Sequence, residues 1–66
     1  MKLHYDPAID ALYLRLVDAQ VVDSEEVRPG VILDFDAQNR VVSIEILHVS
    51  KQLPEADIKR LQLEVA

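Results

Sequence analysis

A chain of 66 residues with twelve acidic side chains, seven basic ones and no cysteine is one small domain, residues 1–66, that no disulfide or thiolate metal site can brace. Its net charge of −5 repels phosphate backbones, which disfavours direct nucleic-acid binding and suits a small basic protein partner. Half of its residues are hydrophobic, too many for a disordered chain. A domain this small buries only roughly 60% of its unfolded surface, so association with another chain is the expected source of extra stability.

The opening MKLHYD has no signal-peptide core, and no apolar run approaches the ~20 residues of a membrane helix. The expectation is a cytoplasmic protein without a membrane partner. In KLHY, Leu3 and Tyr5 alternate with Lys2 and His4, the period of a strand. DPAID breaks it: Pro7 lacks an N–H, and Asp6 can accept from the backbone in an Asx turn. ALYLRLV resumes the alternation, with Leu12, Leu14 and Leu16 against Tyr13 and Arg15. These two runs predict a hairpin with a wide turn.

VVDSEEV is a third strand with neither face cleanly apolar, as edge strands often are, because charge there discourages stray pairing. In RPGV, Pro29 and Gly30 fit a type II turn. GVILDFDAQNRVVSIEIL then forms two apolar runs around a polar tip, where Asn39 is the non-glycine residue best suited to positive φ. Opposing Asp36 to Val41 sets Leu33 against Ile44 and Asp34 against Ser43. A slip by one would put carboxylates on the core face. Beyond it, Pro54 with Glu55 and Asp57 predicts a short helix over about 54–61. Residues 62–66 are left open, since Leu61, Leu63 and Val65 also alternate. The fold class is α+β: an antiparallel β-meander of four to five strands with one short C-terminal helix. One short helix cannot cover such a sheet, which needs one covered face.

Tyr5–Pro7, Asp10–Tyr13, Pro29–Val31, Asp34–Asp36 and Ser43–Leu47 follow, in order and spacing, the pattern Tyr-Asp-Pro, Asp-Ala-Leu-Tyr, Pro-Gly-Val, Asp-aromatic-Asp, Gly-Ile-Glu-Ile-Leu. Over roughly residues 3–50 the chain resembles the bacterial domain-of-unknown-function 2283 family. Asn39 and Ser43 depart from it, each standing where the family usually has glycine. The resemblance implies a short cytoplasmic bacterial protein with no assigned activity. Some members lie beside small toxin-like proteins, as antitoxins do.

Asp34 and Glu45 fall on one face of neighbouring strands, within reach of a shared cation. A hard-metal site wants six or more oxygens, and acid–base catalysis wants two carboxylates with separated pKa values in a pocket. A bare sheet face offers neither, so no catalytic residue, metal ligand or cofactor is assigned. His4 and His48 are read as surface residues, and no serine sits in a nucleophile elbow. The expected function is a non-catalytic binding module. It self-associates as a homodimer, masks a basic protein partner in the manner of an antitoxin, or both. Asp34, Glu45, Glu25 and Glu26 would meet the partner's cations, and Tyr13 and Arg15 would anchor. The alternative is a small metal- or ligand-dependent enzyme, or a ligand-binding regulatory domain, using the Asp34–Glu45 face.

Overall fold

The computed structural model describes residues 1–65. Five strands, β1 (Lys2–Asp6), β2 (Ala11–Arg15), β3 (Asp23–Arg28), β4 (Val31–Phe35) and β5 (Val41–Leu47), form one sheet in the order β1-β2-β5-β4-β3. Every neighbouring pair is antiparallel, so the α+β antiparallel architecture expected from the alternation is the one observed. The β1–β2 turn is locked by Asp6, whose Oδ1 accepts from the Ala8 N–H at 3.0 Å, and by Asp10 at φ 54°. Residues 16–22 then cross the end of the sheet, tied by Leu16 N–H to the Val42 carbonyl (2.8 Å) and Val22 N–H to the Phe35 carbonyl (2.9 Å). That crossing carries the chain to the far edge and leaves the central slot beside β2 for β5.

In the β4–β5 hairpin, Leu33 opposes Ile44 and Asp34 opposes Ser43, as the pattern predicts. The expected Asp36–Val41 pair does not form; Phe35 takes Val41 instead. The cause is a bulge, with Val42 as the extra residue on β5. Its carbonyl turns to the crossing segment, and its side chain is fully buried. Asp36 closes the tip: one oxygen accepts from the Gln38 and Arg40 N–H groups, the other from Arg40 Nε, each at 2.9 Å. Asn39 takes the left-handed conformation there, φ 62°. Gly30, at φ 80°, makes the β3–β4 turn, where a Cβ would lie 3.2 Å from the Leu47 carbonyl oxygen.

The C-terminal region holds two short helices, α1 (Val49–Gln52) and α2 (Glu55–Ile58), where the sequence predicts one over 54–61. His48, at φ 51°, turns the chain out of β5. The start of α1 is capped from forty residues away: Asp10 accepts from Val49 N–H (3.0 Å) through its carbonyl and from Ser50 Oγ (2.6 Å) through its carboxylate. A cap from so distant a residue has no local sequence signal. Pro54 starts α2 as expected, but the helix ends at Ile58. Residues 61–65 are neither helix nor strand, so the alternation of Leu61, Leu63 and Val65 forms no strand in the sheet, and Ala66 lies outside the described residues.

Alternation divides the sheet into two faces. Leu3, Tyr5, Leu12, Leu14, Ile44, Ile46, Val31, Leu33 and Phe35 line one, and not one of them is buried. α2 and the segment after it lie toward the β1 side of this face: Ile58 borders a cleft with Tyr5, and Leu61 and Leu63 share a groove with Leu3 and Leu14. Among the described residues, the fully buried hydrophobic side chains are Val42 and Val49.

Candidate functional site

The other face carries the polar residues singled out from sequence. Cross-strand pairing puts Tyr13 opposite Glu45, Arg15 opposite Ser43, Ser43 opposite Asp34 and Asp34 opposite Ser24. Strands β2, β5, β4 and β3 thus carry a contiguous polar row. Asp34 is its centre, only 3% exposed. Ser24 Oγ donates to Asp34 Oδ1 and Ser43 Oγ to Asp34 Oδ2, both at 2.6 Å. Such short bonds mark an ionised acceptor.

Asp34, expected to meet a partner's cations, is thus buried within its own chain. A short side chain at the middle of a sheet is overlaid by the longer side chains around it. Both Asp34 oxygens are occupied within the chain. Ser24 and Ser43 complete the site, and the sequence reading assigned neither to it. Ser43 was legible through its register with Asp34. Ser24 required the β3–β4 pairing, which an ambiguous edge strand does not reveal.

Glu45, diagonal to Asp34 on the neighbouring strand, is half-buried. A hydrogen bond shared with Asp34, then burial, then repulsion from that carboxylate raise its pKa above the ordinary glutamate value. Burial pushes Asp34 the same way, but hydrogen bonds from Ser24, Ser43 and Glu45, and the charge of Arg15, outweigh it and lower the pKa. The two shifts run in opposite directions, so of the pair Asp34 is the carboxyl that ionises more readily and Glu45 the one that holds a proton more readily. Arg15 is held by its own side of the sheet: it donates to Tyr13 Oη at 3.1 Å and to the Ala19 carbonyl, and lies 3.7 Å from Asp18. Tyr13 and Arg15 are thus a joined, half-buried pair, with Arg15 also tied to the crossing segment.

Glu25 and Glu26 project to opposite faces of the sheet. Glu25 opposes Leu33 on the apolar face, whereas Glu26 opposes Ile32 on the polar one; both are exposed. The remaining motif carboxylates are structural. Asp36 closes the hairpin tip, and its pKa is lowered chiefly by the Arg40 backbone N–H. Asp10 caps α1, and its pKa is lowered chiefly by the Ser50 hydroxyl. Tyr5 Oη also reaches Asp10 Oδ1, at 3.3 Å.

The arrangement holds one carboxylate rigidly, with each oxygen accepting from a hydroxyl of the same chain. The cleft on the polar face is lined by Lys2, His4, Tyr13 and Arg15, on β1 and β2, while Asp34 stands on β4. Among the described residues, no three histidines or carboxylates converge to hold a metal ion, and no helix is long and apolar enough to cross a membrane.

No curated protein and no solved structure matches the chain. The family described as "Protein of unknown function (DUF2283)" matches residues 2–50, which span all five strands and the first residues of α1 but neither α2 nor the segment after it. With most of its length so matched, the chain belongs to the DUF2283 family.

Proposed function

We propose that this protein is a non-catalytic binding module that works by self-association through the apolar face of its sheet. The observation that carries this is the absence of a single buried residue among the nine side chains of that face. The chain exposes 5341 Å², about a quarter more than the roughly 4,200 Å² of a folded monomer of its mass. The difference is comparable to the ~800 Å² that each partner contributes to a standard interface. A second copy provides a layer of matching shape, since two sheets pack face to face at about 10 Å. Sedimentation velocity over a dilution series tests it: a concentration-dependent dimer is expected, and a monomer throughout would overturn it.

A second reading, the masking of a basic partner, is favoured by the β3 edge. Asp23, Glu25 and Glu26 are all exposed on a strand with one sheet neighbour, a template for a basic strand to pair with. Capture of a stoichiometric basic protein from nuclease-treated host lysate, lost in 1 M salt, is its expected signature. Binding indifferent to salt would remove the charge argument.

A further inference from the structure

The C-terminal segment after α2 alternates Leu61, Leu63 and Val65 with Gln62 and Glu64. It approaches its own sheet at the groove of Leu3 and Leu14. Yet that seat hides little of it: Leu61, Leu63 and Val65 are 71%, 84% and 86% exposed. The same face is unevenly covered. α2 and the segment lie on the β1 side, where Leu3 is still 36% exposed, while Leu33 and Phe35 on β4 are half-buried and β3 beside them is exposed along its length. One part of the molecule presents an apolar ribbon without a bed, and another presents a bed without a ribbon.

We propose that residues 61–65 of one protomer seat on the β3–β4 side of the apolar face of a second copy, against Leu33 and Phe35, and that the exchange is reciprocal. This rests on the self-association reading above and names how the faces meet. A two-fold axis parallel to the strands, between the two apolar faces, sets the β1 side of each sheet over the β3 side of the other. Each protomer's segment then lies over its partner's uncovered strands. The lengths agree: five extended residues span about 17 Å, the length of a five-residue strand such as β4.

Charge selects the same axis. Asp23 and Glu25 share the apolar face with Phe35 and Leu33, as their pairing shows. Arg60 and Lys59, the latter paired within the chain to the exposed Glu55 at 3.2 Å, stand at the root of the segment. The parallel axis brings these cations toward the partner's acidic margin. A two-fold axis across the strands would instead set β3 over β3, with Asp23 and Glu25 facing their own copies.

Because the chain has no cysteine, cross-linking tests this cleanly. Chains carrying only Leu33→Cys and only Leu63→Cys are mixed and oxidised, and a disulfide-linked heterodimer is expected. A doubly substituted Leu3→Cys, Leu63→Cys chain that closes on itself, with no heterodimer in the mixture, would overturn the proposal. The double variant Leu61→Ser, Leu63→Ser changes side chains already exposed within one chain, so its fold should stand. Its dimer should dissociate at least tenfold more readily. An unchanged dimer would sink the exchange while leaving self-association in place; a monomeric parent chain would remove both.

Discussion

The two faces of this sheet invert the usual order of burial. On the apolar face nine large side chains remain partly exposed, whereas on the polar face Asp34 and Ser43 are 3% and 0% exposed. Hydrophobicity does not explain this; size and neighbours do. Aspartate and serine at the middle of a sheet are short enough to be overlaid by the side chains around them, here Arg15, Tyr13 and Glu45. Leucines and isoleucines standing side by side cover only each other's flanks, and full burial requires a second layer. The polar face therefore closes over Asp34 and Ser43 within one chain, whereas the apolar face is left half-covered, which is what the proposed self-association would use.

The largest effect should come from breaking the apolar side of this contrast. Leu33→Asp puts a carboxylate where a second layer is proposed to pack. If a partner covers that face, the variant should lose self-association by about 30-fold or more, the scale of an interface hot spot. Sedimentation equilibrium of parent and variant measures it. A variant that associates as tightly as the parent would mean that the interface lies elsewhere.

On the polar face, Ser43→Ala removes one of the two hydroxyls that hold Asp34. A hydrogen bond to a buried charge contributes about 1.5–3 kcal/mol, and the loss should appear in urea unfolding at neutral pH. Added to Asp34→Asn, it should cost less than it does in the parent, because the two residues share one interaction. Full additivity would show that the 2.6 Å contact contributes nothing specific.

Legibility from sequence follows the same division. Strand alternation exposed both faces, the Leu33–Ile44 register and the Gly30 turn, because each is a local or nearest-neighbour property. The diagonal placement of Asp34 and Glu45 was legible too. What escaped depended on contacts across the chain. The bulge at Val42 answers to the crossing segment through Leu16, and α1 answers to Asp10. Burial of Asp34 depended on Ser24, a residue on an edge strand whose pattern points to neither face. The carboxylates that form the recognisable motifs turned out to divide between turn closure, helix capping and one enclosed polar row.

The pair Asp34–Glu45 gives the polar face a pH signature smaller than the loss of a hydroxyl. Asp34 is lowered in the folded state from its ordinary 3.8, so its contribution is present above that value and fades as pH falls through the folded pKa. Glu45 is raised from its ordinary 4.5, so its contribution is present below that value and fades as pH rises through the folded pKa. The two terms together place a local maximum of stability near the ordinary carboxylate range. Glu45→Gln keeps a donor for Asp34 without a charge to lose. It should abolish the decline above pH 4.5 and leave the acid-side loss intact. Urea midpoints at intervals from pH 3 to pH 8 would show this, and parallel profiles for parent and variant would show that Glu45 contributes nothing to the pH dependence.

The smallest effect should come from the hairpin tip, which belongs to neither face. Asn39 occupies φ 62°, where glycine meets no steric penalty and asparagine only a modest one. Asn39→Gly relieves that strain but gives the unfolded chain more freedom to lose, roughly 0.4–1 kcal/mol. The two terms oppose each other, and Asp36 continues to hold the tip through Gln38 and Arg40. The net change should lie within about 0.5 kcal/mol, with self-association untouched. If Asn39→Gly altered the dimer instead, the tip would have to lie against the second copy, and an axis that sets only the sheet faces together would no longer describe the assembly.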